Sequence, residues 1–277
     1  MTPLPHFATL QAPVHWQSVD LISDLHLQSS EPATFEVWRT HMQHTRSDAL
    51  LLLGDVFEVW VGDDAVAHDP FLQACAEVLL QASARMQVGF MPGNRDFLVG
   101  PDFLGRCGVQ LLQDPTLLLW GEQRIVLSHG DALCLGDEAY QRFRAVARTP
   151  DWQAAFLAKP LAERLALAQA MRAQSEAHNQ SMLSFADADP ALTAAWLQSS
   201  NSRHLVHGHT HRPADHAVPG WLGALRQVLS DWHITPGRPR AEVLRLHADG
   251  RHERLPPAQP EQSGGPQRTR LSGAAGA

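Results

Sequence analysis

Ala49-Leu50-Leu51-Leu52-Leu53-Gly54-Asp55 is an uninterrupted apolar run that stops at a glycine and a carboxylate. A run this short and without polar alternation is the pattern of a strand buried on both faces of a sheet. The arrangement recurs along the chain. Val19-Asp20-Leu21-Ile22 leads into Asp24-Leu25-His26, and Val88 to Met91 leads into Gly93-Asn94-Arg95-Asp96. Arg124 to Leu127 leads into His129-Gly130-Asp131, and Leu205-Val206 leads into His207-Gly208-His209 and then Thr210-His211. Helical stretches at Glu31 to Thr45 and Pro70 to Met86 separate the first strands, as in βαβ units, with Pro32 and Pro70 acceptable in a first helical turn. The fold class is therefore α/β. Polar residues just past the carboxyl ends of such strands converge on one rim, where open α/β folds place their ligands.

Each of these rim segments carries a metal-ligating residue type. The i, i+2 spacing of Asp24/His26 and of His207/His209 puts both members of each pair on one side of an extended segment. Asp55 has two oxygens and can bridge two ions, while Asn94 and the imidazoles complete the shells without over-neutralising them. Mixed oxygen and nitrogen ligation suits Mn²⁺, Fe²⁺ or Zn²⁺ better than Ca²⁺. A single DxH or HxH is more often a hydrogen-bonded core feature than a ligand pair. Here every such segment follows an apolar run, in an order one sheet can gather, which favours a two-metal hydrolase.

The pattern DxH…GD…GN(H/R)(D/E)…H…GHxH resembles that of the calcineurin-like metallophosphoesterases. The resemblance covers about residues 17–245 and includes the longer strings Gly54-Asp55-Val56-Phe57-Glu58-Val59-Trp60-Val61-Gly62-Asp63-Asp64 and Gly208-His209-Thr210-His211-Arg212-Pro213. It implies a sandwich of two β-sheets flanked by helices, with a helical insertion cap. It also implies two divalent ions, Mn²⁺ first among them. One ion would be held by Asp24, His26, Asp55 and His209, the other by Asp55, Asn94, His129 and His207. The strings look most like the branch of the family that cleaves the pyrophosphate of UDP-2,3-diacylglucosamine in lipid A biosynthesis, giving UMP and 2,3-diacylglucosamine 1-phosphate. In that reading a hydroxide between the ions, about 3.5–4 Å apart, attacks phosphorus in line. Asp55, Arg95 and His207 would be catalytic, and Asn94, Arg95, Asp137, Ser175, Asn179 and His207 would contact substrate. A Lys usual in the insert is replaced by Gln180-Ser181-Met182, and Lys159 is the single lysine of the chain.

Arg95 stands where many relatives have a histidine that protonates the leaving group. A guanidinium keeps its protons, but it can neutralise and fork onto a phosphate. A pyrophosphate substrate, whose leaving phosphate needs little protonation, fits that change. The plainer alternative for Arg95 is a surface salt bridge with Asp96. The same choice between bland and specific applies to Glu138 to Ser200, a helical segment rich in Ala and Leu. Its stripe of Phe143, Val146, Trp152, Phe156, Leu161, Leu165 and Met171 reads as core packing or as a groove for acyl chains. Arginines 142, 144, 148, 164 and 172 would then face lipid phosphates. Trp60, Asp63 and Asp64 read equally as helix caps and as orienters of Asp55. His211 points away from the HxH pair by alternation and reads as structural or supporting.

A net charge of −7 provides no global basic field, so nucleic acid is not an expected partner. No obligate protein partner is indicated. Three widely spaced cysteines give neither a disulfide framework nor a zinc knuckle. Met1 to Val14 do not read as a signal peptide and no 18-residue apolar span is seen, so contact with the lipid-nucleotide substrate is expected at the cytoplasmic face of the inner membrane, as a peripheral protein. The expected division is a flexible N-terminus (1–16), one catalytic domain (17–255) containing the helical insertion (138–200), and a disordered tail (256–277). Two other readings stay open: a soluble phosphoesterase acting on nucleotides or phosphoproteins, and a metal-free scaffold.

Overall fold

The structure is a computed structural model and describes residues 4–181, 187–235, 237 and 239–260, with only the backbone for 173–181. Two six-stranded sheets face each other. One contains, in order, β12 (His252–Leu255), β11 (Val243–His247), β2 (Ser18–Ile22), β3 (Ala49–Leu53), β4 (Gln87–Met91) and β5 (Gln110–Leu111). The other contains β1 (Ala8–Gln11), β6 (Thr116–Trp120), β7 (Gln123–Ser128), β8 (His204–His207), β10 (Leu225–Val228) and β9 (Ala214–Ala217). β2, β3 and β4 run parallel, as do β7 and β8, so their carboxyl ends share one rim.

Alternation along the strands explains the layers. Val19, Leu21, Ala49, Leu51 and Leu53 point between the sheets and meet Leu118, Ile125, Leu127 and Val206. Ile22, Leu50, Leu52, Val88 and Phe90 point outward and are covered by α1 (Pro32–His44) and α2 (Pro70–Ser83) through Trp38, Met42, Leu72 and Leu79. Every residue of β3 is buried because both faces are covered. Asp69 starts α2 by accepting the N–H groups of Phe71 and Leu72. The outer face of the second sheet is covered by α7 (Pro190–Ser199) through Leu192, Trp196 and Leu197. This last helix of the expected insertion therefore belongs to the core layer. The cap consists of α4 (Glu138–Ala147), α5 (Pro150–Leu157) and α6 (Leu161–Ser181), α3 being the short Pro101–Arg106 helix beside β5.

The N-terminal expectation is corrected. Residues 8–11 pair with β6 in parallel, Leu10 and Trp16 are buried, and Trp16 meets Trp120 edge-on, so apolar burial holds most of this segment. The strands β9 and β12 are likewise additions to what the sequence suggested, each an exposed edge with few buried side chains. The expected disordered tail lies outside the described residues from 261 onward; its first residues lie against the domain, with Ala258 donating its N–H to His41 Nδ1 at 3.0 Å.

That contact completes a buried polar group on the outer face of β2. Asp20 is fully buried and accepts Arg245 Nε at 2.7 Å and Thr45 Oγ1 at 2.6 Å. His41 Nε2 stands 3.5 Å from the same carboxylate, too far for a strong hydrogen bond. Burial, with Arg245 nearby, pushes the His41 imidazole from 6.5 down to about 4 despite Asp20. The folded protein thus holds His41 neutral while the unfolded chain protonates it near 6.5. Stability is complete above that value and falls as pH drops toward 4, by about 3 kcal/mol for this group. Denaturant titrations at neutral pH and at about pH 4 should show that share of the loss in the wild type and not in His41→Gln. Equal losses in both would contradict the assignment.

Candidate metal centre

The rim is built where the strands end. Asp24 lies two residues past β2, Asp55 two past β3, Asn94 three past β4 and His129 one past β7, while His209 and His211 lie two and four past β8. Six non-glycine residues among those described have positive φ, and five are here: Asp24 (54°), His26 (47°), Asp55 (53°), His209 (66°) and His211 (54°). Left-handed backbone at such residues costs about 1–3 kcal/mol each and survives only where the surroundings enforce it. Asp24 donates its N–H to the Gly54 carbonyl and His26 to the Asp55 carbonyl, each at 3.0 Å, locking the first two loops together. His209 N–H donates to the Asp24 carboxylate at 3.0 Å, and Arg95 N–H to Asp55 Oδ1 at 2.8 Å. Gly54 has φ +88°, and a Cβ there would collide with the His129 ring.

Asp96, fully buried, gathers the N–H groups of Gly93, Asp55, Val56 and Phe57. Burial and the neighbouring Asp55 charge raise its carboxyl to about 6 in spite of these bonds. It is therefore turned inward to the loop and forms no surface pair with Arg95. The Arg95 guanidinium instead stands 3.7 Å from Glu58.

The donor atoms fall into two groups that meet at Asp55. His211 Nε2 is 3.3 Å from Asp24 Oδ1 and 3.3 Å from His26 Nε2, which in turn is 4.0 Å from Asp55 Oδ2. On the other side, His129 Nε2 lies 3.6 Å from Asp55 Oδ1 and 2.9 Å from Asn94 Oδ1, and His209 Nδ1 lies 2.8 Å from that same Asn94 oxygen. The ligand atoms of Asp24, His26 and His211, and those of Asp24, Asp55 and His129, each fall within 4.8 Å of one another. His26 donates Nδ1–H to Glu58 and His129 donates Nδ1–H to the Leu53 carbonyl at 3.0 Å, which leaves each Nε2 facing the cluster. Burial opposes charge on both rings, but the nearby carboxylates outweigh it and raise His26 and His129 to about 9. Asp24 is held well below the carboxylate range: burial raises it, while His211, His129 and His26 more than offset that. A buried, anion-rich cluster of oxygens and imidazole nitrogens fits divalent cations.

His207 does not join it. The strand register pairs His207 with Ser128, one step below the rim, and the ring is fully buried. Its Nδ1 donates to the Gly208 carbonyl at 2.9 Å and its Nε2 accepts from Arg226, whose guanidinium pairs with Asp187. Burial first, then Arg226, pushes it down to about 3. In this geometry the His207 Nε2 faces Arg226, and the roles expected of His207 as ligand, catalytic group and substrate contact are put to the test below. The chain leaves extended geometry after β8, so alternation no longer decides direction, and His211, expected to point away, turns into the cluster.

Beside the centre lies a cavity of about 490 Å³ between the rim and the cap. Its lining combines the polar residues Glu58, Asn94, Arg95, Asp137 and Arg172 with the apolar residues Trp60, Phe97, Phe143, Trp152, Phe156 and Met171. Trp152 stacks on Phe156 at 5.1 Å and meets Phe143 edge-on. Asp137 also starts α4, accepting the Tyr140 N–H at 3.0 Å. Ser175 and Asn179 lie on the last turns of α6, and their side chains are outside the described residues.

Most of the cap arginines anchor it. Arg144 and Arg148 reach the buried Asp131 carboxylate, which Tyr140 also contacts; Arg148 further donates to the Gly93 carbonyl and lies over the Phe97 ring. Arg164 pairs with Asp64 and the Val61 carbonyl. Asp63 caps α3 by accepting the Gly100 and Phe103 N–H groups and holds Trp60 Nε1, so Trp60, Asp63 and Asp64 serve structure and do not orient Asp55. Glu58 and Tyr140 were given no role by sequence; Glu58 stood within the string that follows Asp55, and Asp131 within the string His129-Gly130-Asp131.

The sequence profile of the calcineurin-like phosphoesterases matches residues 18–213. The chain is 44% identical over 222 residues to a UDP-2,3-diacylglucosamine hydrolase of Chromohalobacter salexigens, covering 79% of this chain and 89% of the relative. Its identity to the protein of that name from Chromobacterium violaceum is 45% over 225 residues (78% and 91%), and to that from Bordetella pertussis 44% over 239 residues (83% and 92%).

The geometry separates two neighbouring histidines by experiment. His211→Asn should lower bound metal from two ions per chain to about one, measured by mass spectrometry after dialysis, whereas His207→Asn should retain both. The reverse pattern would restore His207 to the centre and remove His211.

Proposed function

The chain belongs to the calcineurin-like phosphoesterase family, and from that premise we propose that it hydrolyses the pyrophosphate of UDP-2,3-diacylglucosamine to UMP and 2,3-diacylglucosamine 1-phosphate. The observation that carries this reading is a cavity that takes in the rim residues Asn94 and Arg95 and whose lining combines guanidinium groups with aromatic side chains. Such a space matches an amphiphile whose phosphates sit at the rim and whose acyl chains run under the cap. The three relatives above carry the corresponding name.

In this proposal Asp24, His26, Asp55 and His211 would hold one divalent ion and Asp55, Asn94, His129 and His209 would hold the other, with Mn²⁺ the species suggested by mixed carboxylate, amide and imidazole donors. When bound, the ions lower the pKa of water toward neutrality and offset phosphoryl charge. The chain's own part is positional. Asp55 keeps the two groups in register, Asn94 and Arg95 face the phosphates from the rim, and Arg172 adds a second guanidinium from α6. Arg95 stabilises charge that grows on the phosphoryl oxygens and transfers no proton, in keeping with a phosphate leaving group. Trp60, Phe97, Trp152 and Phe156 exclude water around the acyl chains.

A peripheral position on the cytoplasmic face of the inner membrane accords with this substrate. Phe143, Val146, Leu157, Leu165 and Leu167 are exposed on the cap helices, and among the described residues no helix is long and apolar enough to cross a membrane.

With Mn²⁺, kcat/KM for UDP-2,3-diacylglucosamine should exceed that for UDP-N-acetylglucosamine by about 10³ or more, because burying only five methylenes contributes about 4 kcal/mol. Comparable values would remove the lipid substrate from the proposal. Arg95→Lys should lower kcat/KM on the lipid substrate at least about tenfold, since a point charge does not reproduce a planar fork; unchanged turnover would confine Arg95 to a structural role.

A further inference from the structure

Glu58 is buried, yet no strand or helix explains its placement. It follows the isolated bridge between Leu27 and Phe57 and donates its N–H to the Leu27 carbonyl at 3.2 Å, which sets it beside His26. Its two oxygens are divided between different parts of the molecule. Oε2 accepts His26 Nδ1–H at 2.7 Å, while Oε1 stands 3.2 Å from Arg172 Nε on the cap helix α6 and 3.7 Å from Arg95 on the rim. Glu58 lines the cavity together with Asn94 and Arg95 of the rim and Arg172 of the cap.

We infer that Glu58 is a positioning residue that couples the cap to the metal centre: one oxygen fixes the His26 ring with Nε2 free for an ion, and the other holds Arg172 and Arg95 at the cavity mouth. The division matters because the two arms make different demands. His26 needs only an acceptor opposite its Nδ1–H, which an amide oxygen also supplies. The arginines need a negative charge, which an amide does not supply. Substitution by glutamine therefore breaks one arm and keeps the other, while alanine breaks both.

The inference rests on the metal-centre reading and is independent of the substrate, so it is tested without lipid. Wild type, Glu58→Gln and Glu58→Ala are compared by titration with Mn²⁺ alone. The Nδ1 proton of His26 is followed by NMR in the Zn²⁺-loaded proteins, and amide exchange is followed over residues 161–172. Glu58→Ala should weaken one of the two Mn²⁺ sites by about 10–100-fold, the usual effect of losing an outer hydrogen bond to a ligand, and should lose the slowly exchanging Nδ1 proton. Glu58→Gln should keep Mn²⁺ affinity within about threefold and retain that proton. Both variants should exchange faster than wild type along α6. The inference is overturned if Glu58→Ala leaves both affinities and the Nδ1 proton unchanged, or if Glu58→Gln leaves α6 exchange at the wild-type rate. Should the alanine variant not fold, the glutamine variant decides: affinity lost with the proton retained, or exchange unaltered, contradicts the division of labour. A wild-type protein that binds two ions but does not cleave UDP-2,3-diacylglucosamine would overturn the proposed substrate and leave these results standing.

Discussion

The structure turns on five left-handed backbone residues at the ends of buried strands. Asp24, His26, Asp55, His209 and His211 occupy a conformation that side chains with a Cβ avoid, and no single bond holds them there. The loops after β2, β3 and β8 brace one another through Asp24 to Gly54, His26 to Asp55 and His209 to Asp24, and Asp96 pulls four amides of the adjoining loops together. What enforces the strain is the sandwich underneath. Strands buried on both faces fix where each loop begins, and the interlocked loops then have one way to close.

Electrostatics gives the same rim its chemistry. Asp24 and Asp55 are buried side by side, with imidazoles as their main neighbours. Like charges at that separation in a partly desolvated site call for a cation. The cap is attached in the same terms. Asp131 takes Arg144 and Arg148, Asp64 takes Arg164, and Glu58 takes Arg172. The carboxylate end of each tie lies on a rim loop or close beside it, so cap position and metal geometry are linked through few side chains. The aromatic wall between them is packed partly by Trp152 and Phe156 and leaves room for an amphiphile.

Much of this was legible in the sequence because it depends on period-two patterning and strand ends. Apolar runs such as Ala49 to Leu53 located the parallel strands, and the polar residues after them located Asp24, His26, Asp55, Asn94, His129 and His209. The structure places the HxH pair differently from the expectation, for a physical reason. His207 was read as following the strand, while the register shows it as the strand's last residue, level with Ser128. Applying alternation beyond β8 then sent His211 the wrong way, because the chain is not extended there. Edge strands such as β1 and β9 carry few buried residues and leave little periodic signal. Glu58 acts through His26, Arg95 and Arg172, partners far away in sequence that no local pattern reveals.

Anomalous diffraction from Mn²⁺-loaded crystals tests the central claim most directly. Two peaks about 3.5–4 Å apart are predicted, bridged by Asp55, with His211 beside Asp24 and His26 at one, His209 beside Asn94 and His129 at the other, and His207 still turned to Arg226. A single peak, or a map in which His207 ligates an ion and His211 does not, would contradict the account.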